Sequence, residues 1–361
     1  MKINFSNNKI TQSDINHVGK ILKSGWLTHG KNTINFENEF KKFTGAKYAI
    51  TVSSCTAGLH LSCMALNLKK DDEIIVPSQT HVATAHAVKL AGGKPVFCDI
   101  DYLTGLINPE NLKKKISTKT KAVMLVHMNG FSCNISKIKK ILKNKKIQII
   151  EDCAHGLGTL FDNKHVGNFG ISGVFSFYPT KQITTGEGGM LITNNKKFAN
   201  KIKSLKAFGI DKDITQRKIP GYYDVKELGI NYRMTDFQAA IGYNQLKRYP
   251  AELELRKKNA KYLHTLLKNV KNIDLPDFNK DYSYFIFPIH SKARQKIINK
   301  LKNKKIGFSI HYAKALHQMT YYKNYNFKLS NAEKYAKTNL SLPIYGKLSK
   351  KELEYIYKAI K

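Results

Sequence analysis

Acidic residues are scarce in this chain of 361 residues: 26 Asp and Glu stand against 61 Lys and Arg, a formal net charge of +35. So lopsided a charge attracts polyanions and steers anionic ligands, while leaving the fold unspecified. It raises nucleic-acid binding as one reading and a solvated, lysine-rich surface as the other. The lysines recur throughout the chain instead of forming one arm. Between Ile135 and Lys146, Ile135, Ile138, Ile141 and Leu142 keep helical spacing, while Lys137, Lys139, Lys140, Lys143, Lys145 and Lys146 fill the wet side. That distribution favours a solvated surface and no nucleic-acid partner.

Long apolar runs are missing too. No stretch approaches the roughly 18–20 residues of a membrane-spanning helix, so no membrane partner is expected. The start, from Met1 to Asn8, carries no apolar h-region and no small-residue cleavage site, which argues against secretion. The five cysteines, Cys55, Cys63, Cys98, Cys133 and Cys153, are odd in number and include no C-x-x-C pair. A disulfide framework or structural zinc site is therefore not expected, and a reducing cytoplasm fits. No histidine belongs to an H-E-x-x-H motif, and His81 with His86 or His311 with His317 lack metal-ligand partners, so no metal is expected. Internal repeats and low-complexity linkers are absent as well. At 42% hydrophobic and 24% charged residues, the composition is that of a globular protein.

What the chain does have is alternation. A first helix opens at Thr11, with Asp14 three residues on, Ile15, Val18 and Leu22 on one face, and Gly25 at its end. From about residue 46 to 195, helical stretches alternate with β-rich runs at 48–52, 73–76, 95–99, 122–127, 148–152, 173–177 and 190–193. Several runs are apolar nearly throughout, as in strands covered on both faces. The alternation predicts an α/β fold, a mostly parallel sheet flanked by helices. A further helix begins near Thr235, where Thr235 and Gln238 match a capping box and Phe237, Ile241 and Leu246 can face inward. Pro250 then marks a junction between a large domain, 1–249, and a smaller C-terminal α+β domain, 250–361, with strands at 284–288 and 308–312.

In an open α/β sheet, chemistry belongs at the carboxyl ends of the strands. Polar residues gather there: Ser53-Ser54-Cys55-Thr56, then 77–81, His127, Asp152-Cys153-Ala154-His155, and 176–189. Within the last of these, Lys181 lies among small polar residues, bracketed by an apolar strand and the glycines Gly186, Gly188 and Gly189. A lysine so held loses its proton readily and attacks a carbonyl as a free amine. Alone it also reads as one more surface lysine. Asp152 ends an apolar strand, where a buried carboxylate needs a partner; alone it reads as a loop cap. Together they are the two elements that pyridoxal 5'-phosphate (PLP) requires, a lysine for the Schiff base and an acid that keeps the pyridine nitrogen protonated. Ser54-Cys55-Thr56-Ala57-Gly58 opens a helix whose N–H groups and dipole favour a phosphate, although the same residues suit an ordinary N-cap. Ser176, five residues before Lys181, offers another hydroxyl.

With Leu27-Thr28-His29-Gly30, Val76-Pro77-Ser78, Val82-Ala83-Thr84-Ala85, Glu151 through Gly158, Asn231-Tyr232-Arg233-Met234 and His311-Tyr312, these motifs make the chain resemble the DegT/DnrJ/StrS-type sugar nucleotide aminotransferases. Those are PLP enzymes of the aspartate aminotransferase fold (type I), and the resemblance covers nearly the whole chain. It implies that Lys181 is the catalytic lysine, anchoring the cofactor and shuttling protons, with Asp152 on the pyridinium nitrogen. His155 would lie near the phenolic oxygen or the ring, and Thr56, Ala57 and Ser176 would hold the phosphate. His81 falls where an aromatic ring stacks on the cofactor. Asn231 would reach the phosphate in the neighbouring subunit, since family members are homodimers with shared active sites. Thr28, His311, Tyr312 and His317 are implied as substrate contacts.

The reaction implied is a ping-pong transfer from L-glutamate, by way of pyridoxamine 5'-phosphate, to a nucleotide-linked 4-keto-6-deoxyhexose. Its product is a 4-amino-4,6-dideoxy sugar nucleotide for surface polysaccharide or glycoconjugate synthesis. Amination at C3 of a 3-keto sugar nucleotide is the alternative. Lys181 stands where dehydrating relatives carry histidine, which favours transamination. Three places depart from the family pattern: Cys55 replaces a glycine, His81 a larger aromatic, and Val126-His127-Met128-Asn129-Gly130 is unusual after its histidine.

Overall fold

A computed structural model describes residues 1–7, 10–212, 217–323 and 327–361; Asn8, the last residue of the N-terminal stretch considered above, lies outside them. Strands β1 (Tyr48–Val52), β2 (Glu73–Pro77), β3 (Lys94–Cys98), β4 (Thr120–Val126) and β5 (Gln148–Asp152) are followed by a short hairpin, β6 (Leu160–Phe161) and β7 (Lys164–His165). Then come β8 (Ser172–Ser176) and β9 (Gly189–Thr193). All but the hairpin form one sheet in the order β1-β9-β8-β5-β4-β2-β3. Four neighbouring pairs are parallel, whereas β9 runs antiparallel to both β1 and β8. The sheet is therefore the mostly parallel one expected, with one reversed strand.

The apolar runs arise because both faces are covered. In β2, Ile74 and Val76 join one buried cluster and Ile75 joins another. Helices α3 (Cys55–Met64), α4 (Val82–Leu90) and α7 (Lys196–Leu205) cover the first face. The opposite face is covered by α2 (Lys31–Thr44), α5 (Pro109–Lys115), α6 (Ile135–Leu142) and α8 (Asp236–Leu267). No helix among the described residues is long and apolar enough to cross a membrane.

Helix α1 (Gln12–Ser24) begins and ends as its sequence dictates, with a Thr11–Asp14 capping box and Gly25 in the left-handed region at φ 70°. Its faces are the reverse of those expected. Ile15 and Leu22 are each 54% exposed, while Asp14 is buried and takes both arms of Arg248 on α8 at 3.1 and 2.8 Å. An apolar stripe predicts that something covers it, and here this chain alone does not.

Pro250 does not end a helix. It lies inside α8, which continues through 32 residues, because tertiary packing on both sides outweighs one missing ladder bond. Leu246, Tyr249 and Leu253 pack with Phe36 and Phe40 of α2, whereas Ala260, Leu263 and Leu267 pack in the cluster that holds Val123 and Leu125 of the sheet. The division at residue 250 that we propose thus falls within a helix and not in a linker. Beyond it lie β10 (Phe287–His290), α9 (Arg294–Asn303), α10 (Ser330–Thr338), β11 (Asn339–Leu342), which pairs antiparallel with β10, and α11 (Lys350–Ile360). The strand expected at 308–312 does not form. Only Ser309 bridges Ser341, and side-chain amides then replace a ladder: Asn339 takes the His311 N–H, and Gln79 and Asn339 donate to the Tyr312 carbonyl.

Candidate active site

Asp152 ends β5 and is only 4% exposed as a residue. One oxygen accepts from Thr84 Oγ1 at 2.9 Å and the other from the Ala154 N–H at 3.1 Å. No ion pair to Asp152 is present among the described residues. Burial pushes its pKa above the ordinary carboxylate value, against the pull of those hydrogen bonds and of Lys181 and His81.

Lys181 follows the neighbouring strand β8, in a loop that folds back on itself: Phe177 N–H donates to Gly188 O at 2.9 Å, and Thr184 Oγ1 to Phe177 O at 2.9 Å. A Cβ at Gly188 would collide with Thr185 Oγ1, so the turn needs glycine. The ammonium Nζ stands 4.4 Å over the ring of Phe285. Burial lowers its pKa to about 8, with Cys55 and Asp152 opposing. Phe285 is held in turn by Arg256 of α8, whose buried guanidinium donates to Phe285 O at 3.4 Å, Tyr284 O at 3.3 Å and Ile344 O at 2.7 Å.

The anion end is built at the start of α3. Ser54 Oγ caps it by accepting the Ala57 N–H at 3.1 Å. At Gly189 an added Cβ would lie 2.7 Å from Cys55 N, so this helix N-terminus presses on the start of β9. Gly189 pairs in register with Ser176 at the end of β8. Thr56, Ala57 and Ser176 are thereby brought to one place, where the helix N-terminus and the hydroxyls of Thr56 and Ser176 suit a dianion, the Ala57 N–H being given to Ser54 Oγ. The donor set fits PLP: a phosphate cradle, a buried carboxylate for the ring nitrogen, and a lysine of lowered pKa for the aldehyde.

Aromatic rings complete the wall. His155 stacks on Phe285 at 4.2 Å and 27°, and its Nδ1 accepts the Asn129 N–H at 3.3 Å. A backbone donor on Nδ1 fixes the tautomer, so Nε2 carries the proton. Burial, and then Lys181, hold this imidazole neutral, well below its usual pKa. His311 lies edge-on to His155 at 6.0 Å, with Nδ1 2.9 Å from Ser341 Oγ and its pKa lowered by burial to about 3. His81 is the N-cap of α4, accepting the Ala83 N–H at 3.2 Å, and meets Tyr312 edge-on at 5.7 Å.

Three expected contacts are not with this group. His317 spends both ring nitrogens inside the protein, Nδ1 on Ser78 Oγ at 2.6 Å and Nε2 on Glu333 Oε1 at 3.2 Å. It ties the loop after β2 to α10 and has no nitrogen left for a substrate. Thr28 lines a separate cavity of about 950 Å³ that also presents Lys203, Lys206, Lys212, Arg217 and Arg233. Asn231 is exposed, its Oδ1 accepting the Arg233 N–H at 3.5 Å. Conversely, Phe285 gave no signal in the sequence, since it comes from a segment about a hundred residues beyond Lys181.

The donors of His127, Glu151 and Cys153 lie within 4.8 Å of one another and are buried. Glu151 and His127 are already engaged. Glu151 accepts from the N–H groups of Gly167, Phe169 and Gly170 at 2.7, 2.7 and 2.8 Å and pairs with His127 Nε2 at 3.0 Å, while His127 Nδ1 accepts the Cys133 N–H at 3.2 Å. This is a network that fixes the end of β5.

Residues 8–361 match the model of the DegT/DnrJ/EryC1/StrS aminotransferase family. The spore coat polysaccharide biosynthesis protein SpsC of Bacillus subtilis is 34% identical over 98% of this chain and 94% of its own length. Among solved structures, Helicobacter pylori PseC, an aminotransferase involved in the biosynthesis of pseudoaminic acid, is 29% identical with a TM-score of 0.92, covering 100% of this chain and 98% of that one. The putative sugar aminotransferase Spr1654 of Streptococcus pneumoniae, in its PMP form, is 27% identical with a TM-score of 0.93 and the same coverage.

Proposed function

Because the chain belongs to the DegT/DnrJ/EryC1/StrS aminotransferase family and is a PLP-dependent sugar-nucleotide aminotransferase, we propose that it carries the amino group of L-glutamate to C4 of a nucleotide-linked 4-keto-6-deoxyhexose. The observation that carries the chemistry is the pairing of Lys181, its pKa lowered to about 8, with the buried carboxylate of Asp152 on the next strand end. PLP, when bound, supplies the electron sink. Lys181 Nζ would be its attachment point and would then take a proton from one carbon and return it to another. Asp152 would hold a proton on the ring nitrogen, and His155 Nε2–H would donate to the phenolic oxygen. Thr56, Ala57 and Ser176 would bind the phosphate, His81 would lie against the ring, and His311 and Tyr312 would meet the sugar.

The choice of C4 is supported by the likeness of residues 27–30 and 311–317 to that branch of the family. Incubation with glutamate and separate 3-keto and 4-keto sugar nucleotides, with the products read by mass spectrometry and NMR, tests it. Turnover of the 4-keto compound is expected, and turnover of the 3-keto compound alone would reassign the reaction to C3.

A second copy of the chain is part of the reading. Leu22, Trp26, Leu27 and Ile34 follow one another through α1, the next loop and α2 at 54, 56, 41 and 58% exposure. An apolar series of that size on a soluble chain marks an interface. Thr28 sits within it, and a homodimer would let Thr28 and Asn231 serve the neighbouring site. Trp26 is the only tryptophan, so its emission should shift to longer wavelength on dilution as the dimer parts. Trp26→Asp should give a monomer with little turnover; a dimeric, active W26D protein would refute the shared site. The remaining net charge is read as solvated lysine, with no nucleic-acid partner, and the five buried, unpaired cysteines suit a cytoplasmic location.

A further inference from the structure

Two buried amide oxygens in the wall around Tyr312 have no donor. Gln79 is fully buried, and its Nε2 donates to Tyr312 O at 2.9 Å. Asn129 is equally buried, and its Nδ2 donates to Thr104 O at 2.9 Å and to the Tyr335 hydroxyl at 3.1 Å. A carbonyl only accepts, so each amide's orientation is fixed. Gln79 Oε1 and Asn129 Oδ1 are therefore true acceptors, and each lacks a partner among the described residues. Leaving such an oxygen buried and unmet is costly unless a ligand meets it.

Their placement is that of the site. Gln79 follows β2 and Asn129 follows β4, adjacent parallel strands, and β5 with Asp152 is next in the sheet. Asn339 Nδ2 ties the two walls together, donating to Tyr335 O at 2.8 Å and Tyr312 O at 3.2 Å. Asn129 also holds His155 through its N–H, in the left-handed region at φ 63°.

We propose that Gln79 Oε1 and Asn129 Oδ1 read hydroxyl groups on the hexose of the substrate, each accepting one O–H. The assignment rests on the sugar-nucleotide reading given above. Neutral amide oxygens suit neutral O–H donors; the carboxylates of glutamate would need cations, and an ammonium would be better met by a carboxylate. A site built to bond a hydroxyl rejects the analogue that lacks it, because its acceptor is then left dry.

The test compares keto sugar nucleotides with their single-deoxy hexose analogues, as kcat/KM and as Kd by calorimetry. With the wild-type enzyme, removal of either of two ring hydroxyls should cost roughly 10–100-fold. Gln79→Met should bring that ratio near one for one hydroxyl while keeping the other, and Asn129→Gly, which suits the left-handed backbone, should do the converse. Equal handling of every deoxy analogue by the wild type overturns the proposal without any variant. So does a uniform loss in the variants on hydroxy and deoxy substrates alike, which marks a structural role. Ribose is the other source of hydroxyls: if Q79M and N129G erase discrimination of 2'-deoxyribose nucleotides instead, the hexose assignment is wrong. If the wild type aminates no keto sugar nucleotide, the substrate reading itself falls, a distinct outcome.

Discussion

Lys181→Ala should abolish amino transfer, with turnover reduced by at least about 10³-fold, and should end borohydride-reducible attachment of PLP. In the proposed reaction the side chain has two duties, covalent anchor and proton carrier, and alanine removes both. Lys181→Arg separates charge from function. The guanidinium keeps the cation beside Asp152 but stays protonated throughout the usable range, so K181R should be as inactive as K181A. The amine's own titration gives an independent reading. Its pKa is lowered to about 8 by burial, so attachment of PLP to the free chain should quicken as pH rises through that value. Normal turnover by K181A would remove the assigned role.

Asp152→Asn has the second largest expected effect, a fall in kcat of about 10²–10³-fold. Asparagine has nearly the same shape and can keep one oxygen on Thr84 Oγ1, so the loss would report charge and not volume. Stability should change little, because losing a buried charge relieves desolvation while the amide leaves the Ala154 N–H without its acceptor. The pH sign follows from the raised folded-state pKa: this group's contribution to stability is present below its ordinary value of 3.8 and is lost as pH rises through the folded value. The free D152N chain should lack that dependence in thermal melts. A variant with near-normal kcat would show that the ring nitrogen is managed by another group.

The sheet, and the strand ends at which the proposed pair of Asp152 and Lys181 stands, were legible in the sequence for one reason: each is encoded locally. Runs such as Ile74-Ile75-Val76 state that both faces are covered, and Asp152 ends a strand whose neighbour leads into the loop of Lys181. What depended on distant partners was not legible. His317 looks like a substrate histidine until Ser78 and Glu333, from two other segments, are seen to occupy both its nitrogens. The stripe of Ile15 and Leu22 predicted a covered face but could not name what covers it. Pro250 reads as a stop, although packing along α8 carries the helix through it. Gln79 and Asn129 carry no signature either, since their meaning lies in two oxygens that go unmet.

The guanidinium of Arg256 ties α8 to the segment that carries Phe285. Its hold on the Phe285 carbonyl, together with Glu252 accepting the Gly346 N–H at 2.7 Å from the same helix, suspends the ring under the Lys181 amine from α8. Such a suspension transmits distant damage as a change in the basicity of one nitrogen, so a lesion that no ligand ever touches would surface as a displaced pH optimum.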